Sequence, residues 1–207
     1  PPPPPPRPLD PTEVLQGAKR NCRVVRGAPP PSGTPTIPGV RFRLEQFFSA
    51  PLEVVEDVFV DPAFLASLGR LPNLGGAELL DQRVDGHLVH QQVRYAFTGE
   101  LSSAVTRVVD PRKLTWIESS TLDRRTHATD FEILPDHYAN RLSARGRFTL
   151  TGATRRTADA DLTVHIPLVG RRAEQAIVSG LTEHARLEAD AVNDWLRDQQ
   201  TFPAEQG

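Results

Sequence analysis

The chain has no methionine and a single cysteine in 207 residues. Lysine occurs only at Lys19 and Lys113. One cysteine excludes an internal disulfide and a cysteine-built zinc cluster. That fits a reducing compartment, so a cytoplasmic location is expected. No stretch approaches the ~18 consecutive apolar residues of a membrane-spanning helix. An excess of positive charge is missing too: 24 basic against 26 acidic residues leave a net charge of −2. Nucleic-acid binding needs a basic face, and no nucleic-acid partner is expected. No glycine-rich phosphate loop follows a strand, and no nucleophile elbow occurs. His87 and His90 stand three apart on a predicted strand, hence on opposite faces, so they form no local metal pair. Neither a metal nor a cofactor is expected. With no methionine, the natural start is expected upstream, which leaves a removed targeting signal open.

Residues 1–39 hold most of the prolines, six of them in the opening run. This composition favours extended polyproline structure or disorder, so the segment is expected to be a solvated N-terminal tail. Lys19, Arg20, Arg23 and Arg26 make it locally basic, and a protein partner that recognises proline is one use for it. Cys22 lies in this tail and is not taken as a nucleophile. The folded domain is expected over 40–198, with a C-terminal tail over 199–207.

From Val40 the pattern changes. Val40, Phe42, Leu44 and Phe48 alternate with Arg41, Arg43 and Glu45, which predicts a half-buried strand. Ser49 and Pro51 predict the start of a short helix with Leu52, Val55 and Phe59 inward. Asp61-Pro62 repeats that signal for a second helix carrying Phe64, Leu65 and Leu68. Asp85-Gly86 between two alternating runs predicts a hairpin, and Gly75-Gly76 reads as a turn. Leu101, Ala104, Val105 and Val108 have helical spacing. Runs over 114–122, 127–134, 141–150 and 155–166 predict four more strands. From Arg171 to Asp198 the spacing becomes that of a long amphipathic helix. Ala173, Ala176, Ile177, Gly180, His184, Leu187, Ala191 and Trp195 fall on one side of it. Several of these are small, which means either close packing on a sheet or unfilled space. The fold class is therefore α+β, in the order β-α-α-β6-α.

That order, with the stretch from Phe42 to Pro51 and the run Val164-His165-Ile166-Pro167-Leu168-Val169-Gly170 leading into Ala173-Glu174, resembles the START-like superfamily. The superfamily is also called SRPBCC, or birch-pollen-allergen-like. The Pro-Leu-Val-Gly corner resembles the branch known as domain of unknown function 2505. The resemblance spans about 40–197 and implies a helix-grip fold, in which a strongly bent seven-stranded antiparallel sheet wraps a long C-terminal helix. It also implies a pocket between the two for a hydrophobic small molecule or lipid. It does not imply catalysis, because relatives include carriers as well as polyketide cyclase-like enzymes.

Strand alternation places Phe42, Leu44, Val93, Tyr95 and Phe97 on the inner face. Trp116, Phe131, Leu142, Phe148 and Val164 follow on the same grounds, and the helix adds Ile177 and Gly180. Most of these are core residues in any fold, but a mostly apolar cavity with a few polar groups is the usual form of a small-molecule site. Gly146 interrupts the inner row and marks a bend or open space. His184 lies near the centre of the helix's apolar side, with Glu188 one turn on. Glu118 shares strand parity with Trp116, and His127 with Phe131. These four supply the polar contacts, and His184 and Glu118 are the acid–base candidates if the protein is an enzyme. Arg141, Arg145 and Arg147 face outward, opposite Asp159 and Asp161, where cross-strand ion pairs account for them. The preferred reading is a non-catalytic binding or carrier protein for a hydrophobic small molecule or lipid, with transient membrane contact open to it. A cyclase- or dehydratase-like enzyme comes second, and an interaction module acting through the tail or the outer arginines third.

Overall fold

A computed structural model of the chain describes residues 39–72, 74–99, 103–107, 109–152, 154–165 and 170–201. Strand β1 (Val40–Phe47) is followed by helices α1 (Leu52–Val60) and α2 (Pro62–Leu68) and by strands β2 (Leu74–Asp85) and β3 (Leu88–Phe97). A single turn, α3 (Ser103–Thr106), and a 3-10 turn (Pro111–Lys113) lead to β4 (Thr115–Asp123), β5 (Ala128–Pro135), β6 (Leu142–Thr151) and β7 (Arg155–Val164). The last element is α4 (Gly170–Thr201). The expected tail and proline corner, residues 1–38 and 166–169, lie outside the described residues, as do Leu101 and Val108.

All seven strands form one antiparallel sheet in the order β1-β7-β6-β5-β4-β3-β2. First and last strands are therefore neighbours, and the sheet can curl around whatever follows β7. Asp61 caps α2 by accepting from the Ala63 N–H at 2.7 Å, with Pro62 in its first turn. Gly86 takes the left-handed conformation that the β2–β3 hairpin needs, at φ +59°. Two local expectations change. Ser49 does not cap α1; its N–H donates to Asn193 Oδ1 of α4 at 3.0 Å. Gly75-Gly76 is no turn but part of β2, at a register shift that bends the strand.

Gly146 marks the bend rather than open space. A Cβ there would lie 2.5 Å from the Asp159 carbonyl oxygen and 2.6 Å from Ala160 Cβ on β7. Only a hydrogen lets β6 approach β7 that closely. Gly146→Ala is expected to destabilise the protein by about 1–3 kcal/mol, as overpacking does. Urea unfolding measures it, and an unchanged midpoint would show that β6 yields freely.

Helix α4 packs over β1 and β7 along its first half. Val178 and Ala185 join Phe42, Leu44, Ala158, Ala160 and Leu162 in one core cluster. Farther along, Val192 and Leu196 join a second core with Phe48, Val55, Val58, Phe64, Leu65, Leu68, Val93 and Tyr95, under α1 and α2. The buried stripe is thus Ala173, Glu174, Val178, Ala185, Val192 and Leu196. It lies about one position, or ~100°, from the expected face. Ile177, Gly180, His184, Leu187, Ala191 and Trp195 are half-buried, and Ala176 is exposed. Glu174 is buried because it closes the strand–helix corner, accepting from the Val164 N–H at 3.0 Å.

Candidate functional site

Burial of the inner face changes across the sheet. On β1 and β7 it is sealed by α4: Phe42, Leu44, Gln46, Arg156, Ala158, Ala160 and Leu162 are all buried. On β3 it is sealed by the second core, which takes Val93 and Tyr95. Between these two zones run β4, β5 and β6. There Trp116, Glu118, Ser120, Phe131, Ile133, Leu142, Ala144 and Phe148 keep part of their surface accessible. On α4, Ile177, Gly180, His184 and Leu187 are half-buried as well. At Gly180 an added Cβ would meet no atom within 4 Å. Between the two cores the inner face over β4–β6 is thus a partly accessible apolar strip, with Phe131, Leu142, Ala144 and Phe148 packed against the edge of the first core and Trp116 against that of the second. Phe131 and Phe148 stack with centroids 4.7 Å apart, and Trp116 stacks on Tyr95 at 5.9 Å.

Polar groups gather at one wall. Arg156 lies between two rings, its guanidinium carbon 3.9 Å from the Phe59 centroid and 3.7 Å from that of Phe148. It donates to Glu188 Oε2 at 3.0 Å and to Gln46 Oε1 at 3.2 Å. Gln46 Nε2 donates in turn to Glu188 Oε2 at 2.9 Å and to the Ala185 carbonyl at 2.8 Å. These bonds fasten β1, β7 and α4 at one point.

Glu118 faces this cluster without joining it. It stands in register between Val93 and Ile133. Protein surrounds it, yet its side chain stays partly accessible, as a residue lining an internal space does. No described residue donates a hydrogen bond to it. Desolvation, with the Glu188 carboxylate adding to it and Arg156 opposing it, lifts its pKa to about 7. Tyr95, 9% exposed and diagonal to Glu118 across the β3–β4 register, has no hydrogen bond to any described residue. Burial first, then Glu118 and Glu188, push its hydroxyl well above the usual range. His184 lies one turn before Glu188, but Glu188 does not orient it as expected, being held by Arg156 and Gln46. The buried His184 Nδ1 has no partner, and desolvation lowers the imidazole's pKa.

The structure thus brings Tyr95, Glu118, His184 and Glu188 to one region. Trp116, Phe131 and Phe148 line the strip beside them, while Leu142 and Val164 sit at one end of it and Phe97 at the top of β3, all half-buried. Phe42, Leu44 and Val93 lie in the sealed cores; Phe131, Leu142, Phe148, Val164 and Ile177 pack against the first of them and Trp116 against the second. His127 is paired with Glu56, beside Phe148 and Arg156. Held at φ +54°, it bonds through Nδ1 to Glu56 Oε1 at 3.0 Å. Burial raises the Glu56 pKa, and the His127 hydrogen bond opposes that rise. A cavity of about 20 Å³ beside this pair touches Phe59, Phe148 and Arg156, with room for about one water. Gln46, Glu56 and Arg156 were missed from the sequence. The first and last share parity with Phe42 and Ala158, so alternation alone would have turned them inward.

On the outer face Asp161 and Asp159 pair with Arg41 and Arg43 of β1 at 3.1 and 3.6 Å. Arg147 pairs with Asp130 of β5 rather than with β7. This is a balanced lattice of exposed pairs. Among the described residues no cluster of three metal-ligating side chains occurs, and no helix is long and apolar enough to cross a membrane.

No curated protein matches the chain. Among solved structures it is similar to the protein TTHA0849 from Thermus thermophilus, at 16% identity and a TM-score of 0.53 over 74% of this chain and 94% of that one. It is also similar to the di-domain ARO/CYC protein BexL from the BE-7585A biosynthetic pathway, at 13% identity and a TM-score of 0.51. That match covers 74% of this chain and 48% of BexL. The bent antiparallel sheet, its long final helix and these neighbours together give the helix-grip fold. The model of the family described as Protein of unknown function (DUF2505) matches residues 43–196, and the chain belongs to that family.

Proposed function

We propose that the protein binds a hydrophobic small molecule or lipid in the groove between α4 and strands β4–β6. The observation that carries this reading is the half-buried apolar inner face of those three strands, flanked by two sealed cores. A sheet that needed only a lid would bury that face as it buries β1, β3 and β7. Removing the remaining apolar area from water is worth roughly 25 cal/mol per Å² to a ligand that fills the space. Gly180 gives the test. A large side chain there meets no described neighbour at its Cβ, and Trp is a better helix former than Gly. Gly180→Trp is expected to keep the fold and to abolish uptake of a neutral fluorescent apolar probe such as Nile red. Undiminished uptake by a folded variant would sink the groove reading.

A second reading is acid–base catalysis of the cyclase or dehydratase kind in the same groove. It is favoured by one observation: the Glu118 carboxyl, with a pKa raised to about 7, exchanges its proton near neutral pH. Turnover of a polyketide-type substrate that is lost in Glu118→Gln while binding persists would select it. The expected domain limits, 40–198 with tails on either side, are retained as part of the proposal. The carrier would need no metal or cofactor.

A further inference from the structure

We infer that the ligand carries a protonated amine, and that its ammonium group sits against Glu118 at the polar wall of the groove. This rests on the groove being a ligand site and names the chemical class it takes. The enclosed cluster holds two carboxylates, Glu118 and Glu188, against one guanidinium. Arg156 cannot serve both. It is clamped between the Phe59 and Phe148 rings and bonded to Glu188 and Gln46, so it has no freedom to swing across to β4. Glu188 is thereby matched. Glu118 is left with neither a hydrogen bond nor an ion pair from any described residue, and the hydroxyl of Tyr95, a residue 9% exposed that stands diagonal to it, has no hydrogen bond from a described residue either. A half-buried carboxylate among apolar groups without a partner is costly, and a ligand ammonium supplies the missing cation together with its N–H donors.

The walls point the same way independently. Of the stacked rings, Trp116 and Phe131 are partly accessible, each on the inner face two residues from Glu118 or from its register partner Ile133. Aromatic faces attract cations and gain nothing from anions. A neutral alcohol satisfies hydrogen bonds here but leaves the charge unmatched, and a carboxylate is repelled by Glu118 and Glu188 together.

Three probes of one shape test this: naphthylmethylamine, naphthylmethanol and naphthylacetate, titrated calorimetrically into the full chain. The amine is expected to bind at least about tenfold tighter than the alcohol, and the acetate weakest. In Glu118→Gln the alcohol's affinity holds and the amine's advantage disappears. Amine affinity in the wild type is expected to fall about tenfold from about pH 8 to about pH 6, as Glu118 takes up its proton. Glu118→Gln is expected to flatten that slope, which separates Glu118 from the other groups facing it. Arg156 holds Glu188, Tyr95 is pushed well above its ordinary value, and any part due to His184, whose imidazole is pushed down by burial, would survive in the variant. Equal binding of amine and alcohol, or an amine advantage that survives Glu118→Gln, would overturn the amine assignment while leaving the groove in place. Binding of none of the three would overturn the groove reading, and this one with it.

Discussion

Arg156→Ala is expected to lower the unfolding free energy by about 3–5 kcal/mol, the cost of breaking a buried ion pair by removing one partner. Arg156 and Glu188 side chains are 10% and 16% exposed, so the carboxylate left behind has little water to turn to. Gln46 loses its donor at the same time, and two aromatic faces lose the cation stacked between them. Against a total stability of roughly 5–15 kcal/mol for a domain, that is a large fraction. The partner carboxylate decides how the loss is read. If it comes from an orphaned charge, Arg156→Leu combined with Glu188→Leu recovers much of it, because apolar replacement of a whole buried pair is often neutral or favourable. Urea unfolding of Arg156→Leu, Glu188→Leu and the double variant closes the cycle. A single variant within about 1 kcal/mol of the wild type would mean that the clamp between β1, β7 and α4 is ornamental.

The clamp also shows where residue patterns stop being informative. Strong local signals specified their elements: the alternation from Val40, the Asp61-Pro62 cap and the Asp85-Gly86 hairpin all form as expected. The long helix formed too, running through to Thr201, but its buried side was misplaced by one position. Alanine and glycine occur all round α4, so its apolar stripe has no sharp edge. What sets the rotation is tertiary: Val178 and Ala185 on the β1–β7 core, and Val192 and Leu196 on the second. His184 therefore borders the groove instead of lying at the centre of a packed face. Gln46 and Arg156 were hidden by their chemistry, since a polar residue at an inward position is usually read as an error in the alternation. Their bonds to each other and from Gln46 to Glu188 join residues more than a hundred positions apart, and no local pattern records such a pairing. Glu118 was found because parity and an aromatic neighbour pointed to it, but its isolation emerges only once Arg156 is seen to be engaged elsewhere.

That isolation makes Glu118 a residue the free protein would be more stable without. An unfolded chain releases the Glu118 proton near the ordinary value of 4.5, and the folded one near 7. Between those values the native state holds a proton that the unfolded state has given up. Its share of stability is therefore fully present below about pH 4.5 and is lost as pH rises to about 7, some 3 kcal/mol in all at about 1.36 kcal/mol per pH unit. Glu118→Gln keeps the shape and removes the titration. The variant is expected to be more stable than the wild type by about 3 kcal/mol at about pH 8 and by almost nothing at about pH 4, as read by urea unfolding at each pH. A gain of the same size at both would trace to packing, and no gain at either would show that water already solvates the carboxylate. A saturating amine ligand should then narrow the gap at the higher pH, because it stabilises the wild type by its binding free energy and the Gln variant by less. A carboxylate kept unpaired in an apolar groove destabilises the empty protein, and the compensation comes only when a cation arrives.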